Sequence, residues 1–102
     1  MKIDLLYFEG CPHWQLTKEM TEQVLAEKGL DVGIKMVRIE SAGEARSLAF
    51  IGSPSLRVDG KDVEPGELPM GYNLECRIYW MDGRPEGAPK REWIAAAISE
   101  AA

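Results

Sequence analysis

The sequence predicts an α/β protein: a mixed four-stranded sheet in the order 2-1-3-4, helices on both faces, and a small insert before the last helix. Three observations predict it. Apolar runs of strand length alternate with stretches of helical period. Asp59-Gly60, the strongest short hairpin signal in the chain, separates the third run from the fourth. A segment rich in Pro and Gly then intervenes before a final helical pattern.

Residues 2–8 form the first strand. Leu5 and Tyr7 on one side, with Leu6 and Phe8 on the other, suit a central strand covered on both faces. A helix follows from Pro12 to Lys28, with Leu16, Met20 and Val24 recurring every four residues as its inward stripe and Leu25 beside them. Gly29 stops it, and Leu30 is placed for the apolar contact of a Schellman cap. Val32 to Ile39 is the second strand. Ser41-Ala42-Gly43-Glu44 is a capping box opening a short helix that ends near Gly52.

Ser55 to Val58 is the third strand, and Lys61-Asp62-Val63 returns from the hairpin as the fourth. Residues 64–75 read as a long loop, of a length that is usually functional. Arg77 to Trp80 reads as an extra edge strand, and Asp82-Gly83 and Pro85 to Pro89 as turns. The last helix starts at Pro89, with Trp93, Ile94, Ala97 and Ile98 as its apolar stripe. A right-handed crossover makes the first two strands parallel neighbours, and the hairpin adds the other two on the far side of the first.

The chain has 102 residues, which suits one domain over 1–102. Its net charge of −5, without a basic cluster, argues against nucleic acid, whose phosphates need Lys and Arg. No apolar segment nears the ~20 residues of a membrane span, and no signal-peptide pattern is present; the expectation is a soluble, cytoplasmic protein. Two cysteines and one histidine offer too few preferred ligands for a structural zinc, so neither a resident metal nor a cofactor is expected. In a reducing compartment, such a cysteine pair is more often catalytic or metal-binding than structural.

Cys11-Pro12-His13-Trp14 is the richest stretch. It joins the first strand to the first helix, with Pro12 suited to the first helical position. A cysteine there meets unpaired N–H groups and the positive end of the helix dipole, which favour thiolate, the nucleophile and the metal ligand. His13 is adjacent and can act as an electrostatic partner or a proton shuttle. Glu9 acts against the second negative charge. The plainer alternatives are a small buried cysteine and a first-turn histidine without a role.

The element order, with a Cys-Pro-X-X element ending the first strand and Ser-Pro before the third, resembles the thioredoxin superfamily. The local matches are Phe8 to Trp14, Gly52-Ser53-Pro54-Ser55 and Val58-Asp59-Gly60-Lys61. More narrowly, Tyr7 to Trp14 together with Cys76-Arg77-Ile78-Tyr79 resemble a group of small bacterial thioredoxin-like proteins often labelled alkylmercury-lyase-like. Trp14 departs from the family pattern, standing where dithiol oxidoreductases carry the resolving cysteine.

The resemblance implies a redox, thiol-dependent site and a cis Ser53–Pro54 bond, the plainer alternative being a trans turn before the strand. Pro12, Trp14, Ser53 and Pro54 are the candidates for the substrate-facing rim of catalytic Cys11 and His13, with Trp14 otherwise a packing residue that shields Cys11. Cys76 is the candidate resolving partner, or else an unrelated free thiol at a strand edge. If Arg77 to Trp80 were the fourth strand, Cys76 would start it far from Cys11. If Lys61 to Val63 is the fourth strand, the 64–75 loop lies over Cys11 and can deliver Cys76; Asp59-Gly60 favours this topology.

Three functions follow. Cys11 attacks a disulfide, sulfenate or peroxide, resolved by Cys76 or an external thiol; the partner is a protein or small-molecule thiol or disulfide. Alternatively, thiolate holds a soft metal ion, Hg(II), Cu(I) or arsenite. In a third, the domain is an adaptor without chemistry, with Cys11 buried and unreactive.

Overall fold

The computed structural model describes residues 1–68, 71–72 and 74–102. Three members of the long loop, Pro69, Met70 and Asn73, lie outside the described residues. The main sheet contains β1 (Ile3–Tyr7), β2 (Ile34–Arg38), β3 (Ser55–Val58) and β4 (Lys61–Asp62) in the order β2-β1-β3-β4. β1 runs parallel to β2 and antiparallel to β3, as the sequence predicts. Asp59 and Gly60 turn the β3–β4 hairpin with φ of +51° and +82°, the left-handed pair that a two-residue hairpin requires.

Among the described residues, three helices flank the sheet: α1 (Trp14–Glu27), α2 (Ala42–Ser47) and α3 (Arg91–Ala101). Ile3 and Leu5 of β1 join Val24 and Leu25 of α1, Leu56 and Val58 of β3, and Ile94 and Ile98 of α3 in one buried cluster. Leu6, on the other face of β1, packs with Ile39, Ala45 and Phe50. Fully burying each such side chain contributes about 1.5–3 kcal/mol, so the alternation along β1 anchors both layers.

Local signals are carried out closely. After α1, Gly29 adopts φ +67°, Leu30 N–H donates to Leu25 O at 2.9 Å and Gly29 N–H to Ala26 O at 3.1 Å, both bonds of a Schellman cap. At α2, Glu44 N–H donates to Ser41 Oγ at 3.1 Å, while the Glu44 carboxylate accepts from the Ser41 hydroxyl at 3.4 Å and from Glu40 N–H at 3.2 Å rather than from the backbone N–H of Ser41.

Four expectations are corrected. α1 begins at Trp14 with His13 as its N-cap, so Pro12 precedes the helix and Cys11 stands two residues outside the cap. Leu16 faces water; the buried stripe is Thr17, Thr21, Val24 and Leu25. The threonines tolerate burial because Thr17 Oγ1 donates to His13 O and Thr21 Oγ1 to Thr17 O, which leaves no orphan hydroxyl. The segment after Cys76 does not extend the main sheet. Instead β5 (Tyr79–Met81) and β6 (Arg84–Glu86) form a separate hairpin, turned by Asp82 and Gly83 at φ +53° and +79°, with Pro85 inside β6 where a turn was expected. α3 starts at Arg91, two residues after Pro89.

Candidate functional site

The site lies at the C-terminal end of β1, where the chain entering β3 passes beside it. Leu6 pairs with Ser55, so the two preceding residues, Ser53 and Pro54, fall next to Phe8 and the Cys11 turn. Phe8 N–H donates to Ser53 Oγ at 3.2 Å, and Cys11 N–H returns to Phe8 O at 3.2 Å. The Cys11 thiol then donates to Ser53 O at 3.2 Å. The Ser53–Pro54 bond is cis.

Ser53 has a second neighbour, Cys76, with which it forms an isolated parallel bridge. Ser53 N–H donates to Glu75 O at 2.9 Å, and Arg77 N–H donates to Ser53 O at 2.9 Å. Both cysteines therefore flank one residue. Both are free thiols, with Cys11 1% exposed and Cys76 at the surface. Cys76 is raised above its ordinary thiol range, first by loss of water around the sulfur, then by a hydrogen bond with Cys11 and by the charge of Cys11. The residue is open to solvent, yet loss of water around its sulfur still disfavours the thiolate.

The strap from Glu75 to Tyr79 is held by a network that sequence reasoning missed. Arg77 is buried and bidentate on Asp62, at 2.7 and 3.0 Å, and reaches Glu64 at 2.7 Å and Ser55 Oγ at 3.1 Å. Its guanidinium also lies 4.2 Å from the centroid of the Tyr79 ring. Burial opposes the charge, but the hydrogen bonds and charges of Asp62 and Glu64 hold Arg77 above its ordinary value. Burial pushes the Tyr79 phenol up, against the pull of Arg77, and its O–H donates to Pro54 O. Gly52 completes the seat: at φ +128°, a Cβ there would stand 2.8 Å from Arg77 Cβ and 3.1 Å from Arg77 Cα.

The signal for this network was present in Cys76-Arg77-Ile78-Tyr79, with an arginine and a tyrosine two apart. Nothing local pairs them with Asp62 and Glu64, which lie thirteen to fifteen residues upstream.

The remaining candidates sit at the rim. Pro12 and His13 are exposed. The His13 ring rests on Gly87, just after β6: a Cβ on Gly87 would lie 2.3 Å from its Cδ2 and 2.5 Å from its Nε2. Trp14 is half-buried with its ring 4.6 Å from that of Tyr7. Among the described residues, no three of His, Cys, Asp and Glu gather as a metal cage, and no helix is long and apolar enough to cross a membrane.

The sheet order and flanking helices are consistent with a thioredoxin-like fold. Comparison with family models, curated proteins and solved structures finds no significant match to this chain.

Proposed function

We propose that the protein is a thiol-disulfide oxidoreductase in which Cys11 is the nucleophile and Cys76 its resolving partner. As thiolate, Cys11 attacks the sulfur of a disulfide or sulfenate, or the oxygen of a peroxide. Cys76, or an external thiol such as glutathione, completes the exchange. His13, exposed one residue from the N-terminus of α1, is the nearest titratable ring in sequence and serves as proton carrier. A reducing cytoplasm, which returns the pair to dithiol, suits this cycle.

The observation that carries the reading is that both free cysteines flank Ser53: its carbonyl accepts from the Cys11 thiol, and it pairs with Cys76 as a parallel bridge. The missing cysteine at Trp14 is thus replaced by one supplied from the opposite side of the site. The test is oxidation by glutathione disulfide followed by mass spectrometry. An internal Cys11–Cys76 disulfide, reversed by excess glutathione and absent from either Cys→Ser variant, is expected. Wild-type protein that forms neither an internal nor a mixed disulfide refutes the function.

The same pair supports a second reading as a soft-metal site. Two thiolates flanking one residue suit a soft ion such as Hg(II), Cu(I) or arsenite, because soft metals prefer thiolate. Tight Hg(II) binding lost in both single variants, without disulfide exchange in wild type, selects it.

A further inference from the structure

An extended polypeptide can be recognised by adding a strand to a free backbone edge, with N–H and C=O giving affinity. Here the edge is Ser53, and both of its groups are taken: N–H by Glu75 O, C=O by Arg77 N–H and the Cys11 thiol. Four consecutive residues are fitted to the strap. Gly52 leaves room for the backbone of residue 77, Ser53 pairs with it, Pro54 O accepts from Tyr79, and Ser55 Oγ accepts from Arg77. Arg77 is in turn neutralised by Asp62 and Glu64 in a buried network. The strap thus occupies the seat of a peptide, and it carries its own cysteine.

The occupied seat changes which sulfur meets the outside. Cys11 is 1% exposed, whereas Cys76 is exposed. We propose, resting on the redox pair of the reading above but moving the first attack from the buried Cys11 to the exposed Cys76, that low-molecular-weight disulfides load onto Cys76, that Cys11 attacks the loaded Cys76 sulfur from within, and that extended polypeptides are excluded by the strap.

The steps balance. The Cys76 sulfur, on losing its proton, attacks RS–SR; a Cys76–SR bond forms, the S–S bond breaks, and RS⁻ leaves with that proton as RSH. Cys11 then attacks Cys76 Sγ, the Cys11–Cys76 bond forms, and the second RS⁻ leaves and takes the Cys11 proton. The dithiol loses two electrons and two protons, and the disulfide is reduced to two thiols. Arg77 is a positioning residue: it touches no substrate and holds Cys76 against Cys11.

The test compares glutathione disulfide with a disulfide-bearing unfolded polypeptide, using Cys11→Ser, Cys76→Ser and wild type. Cys11→Ser should accumulate a stable glutathione adduct on Cys76. Native Cys76→Ser should take up glutathione on Cys11 at least about tenfold more slowly than Cys11→Ser does on Cys76, because access limits exchange. In denaturant the two variants should react alike, showing that folding, not the substitution, protects Cys11. Wild type should favour glutathione disulfide over the polypeptide by at least about tenfold more than free dithiothreitol does. Tyr79→Phe, which releases one hold on the strap, should narrow that preference; Arg77→Met should narrow it further. Rapid glutathionylation of Cys11 in native Cys76→Ser, or wild type that exchanges with polypeptide as readily as the reference thiol, overturns this inference and leaves the oxidoreductase standing. No exchange by wild type with either disulfide removes the oxidoreductase itself.

Discussion

The Cys11 thiol and the Arg77 backbone N–H share one acceptor, the carbonyl oxygen of Ser53, at 3.2 and 2.9 Å. A displacement of the strap that carries Arg77 therefore changes the surroundings of Cys11 directly, and stability and reactivity are linked through one atom.

The hold on Arg77 should be costly to remove. Arg77→Met leaves Asp62 and Glu64 facing each other without their cation, and breaking a buried pair of this kind costs about 3–5 kcal/mol. Urea denaturation should show the loss. Replacing Asp62 by Asn at the same time should recover part of it, since one uncompensated charge is gone.

Gly52→Ala should act on the same contact from the other side. The new Cβ would be 2.8 Å from Arg77 Cβ, on a backbone at φ +128° that L side chains rarely adopt. A destabilisation of about 1–3 kcal/mol is expected, with slower closure of the Cys11–Cys76 disulfide measured by quenched alkylation. A variant as stable and as fast as wild type would show that the strap does not need this close approach.

The Cys76 thiol is raised by desolvation first, then by the hydrogen bond and charge of Cys11. The folded protein thus holds this proton more tightly than the unfolded chain. That contribution to stability is complete below the ordinary thiol value and is lost as pH rises through the folded-state value. Urea midpoints of wild type should fall across that alkaline window, and those of Cys76→Ser should fall less. In Cys11→Ser, the alkylation midpoint of Cys76 should move down but stay above the ordinary value, because desolvation remains.

Gly87→Ala should displace the His13 ring, since a Cβ there would lie 2.3–2.6 Å from three ring atoms. His13 is exposed, so the ring can swing away with little change in stability. Its imidazole NMR signals should shift. If His13 carries a proton in the exchange, Gly87→Ala should slow disulfide formation in the same direction as His13→Ala. Unchanged rates in both variants would remove His13 from the mechanism.

Much of the fold was legible in the sequence because local rules carry it. The two faces of β1, the Schellman cap at Gly29, the capping box at Ser41 and the Asp59-Gly60 turn are all set by residues within a few positions of one another. From these the sheet order follows, since crossover handedness and a tight hairpin leave few alternatives. Errors came where burial overrode period. Thr17 and Thr21 displaced Leu16 from the buried stripe because backbone carbonyls one turn back satisfied their hydroxyls.

The sequence by itself determined that Cys11 follows the first strand and that Ser53 and Pro54 precede the third; of the two topologies it left open, Asp59-Gly60 favoured a fourth strand at Lys61, which lets the following loop return toward Cys11. Only the tertiary structure decided that Cys76 arrives there as a strand partner of Ser53, exposed while Cys11 is buried, and that Arg77 holds it through Asp62 and Glu64. The physical reason is range. A cap or a turn is settled by neighbours along the chain, whereas the guanidinium of Arg77 finds its carboxylates only after the sheet has formed and water has been excluded around them.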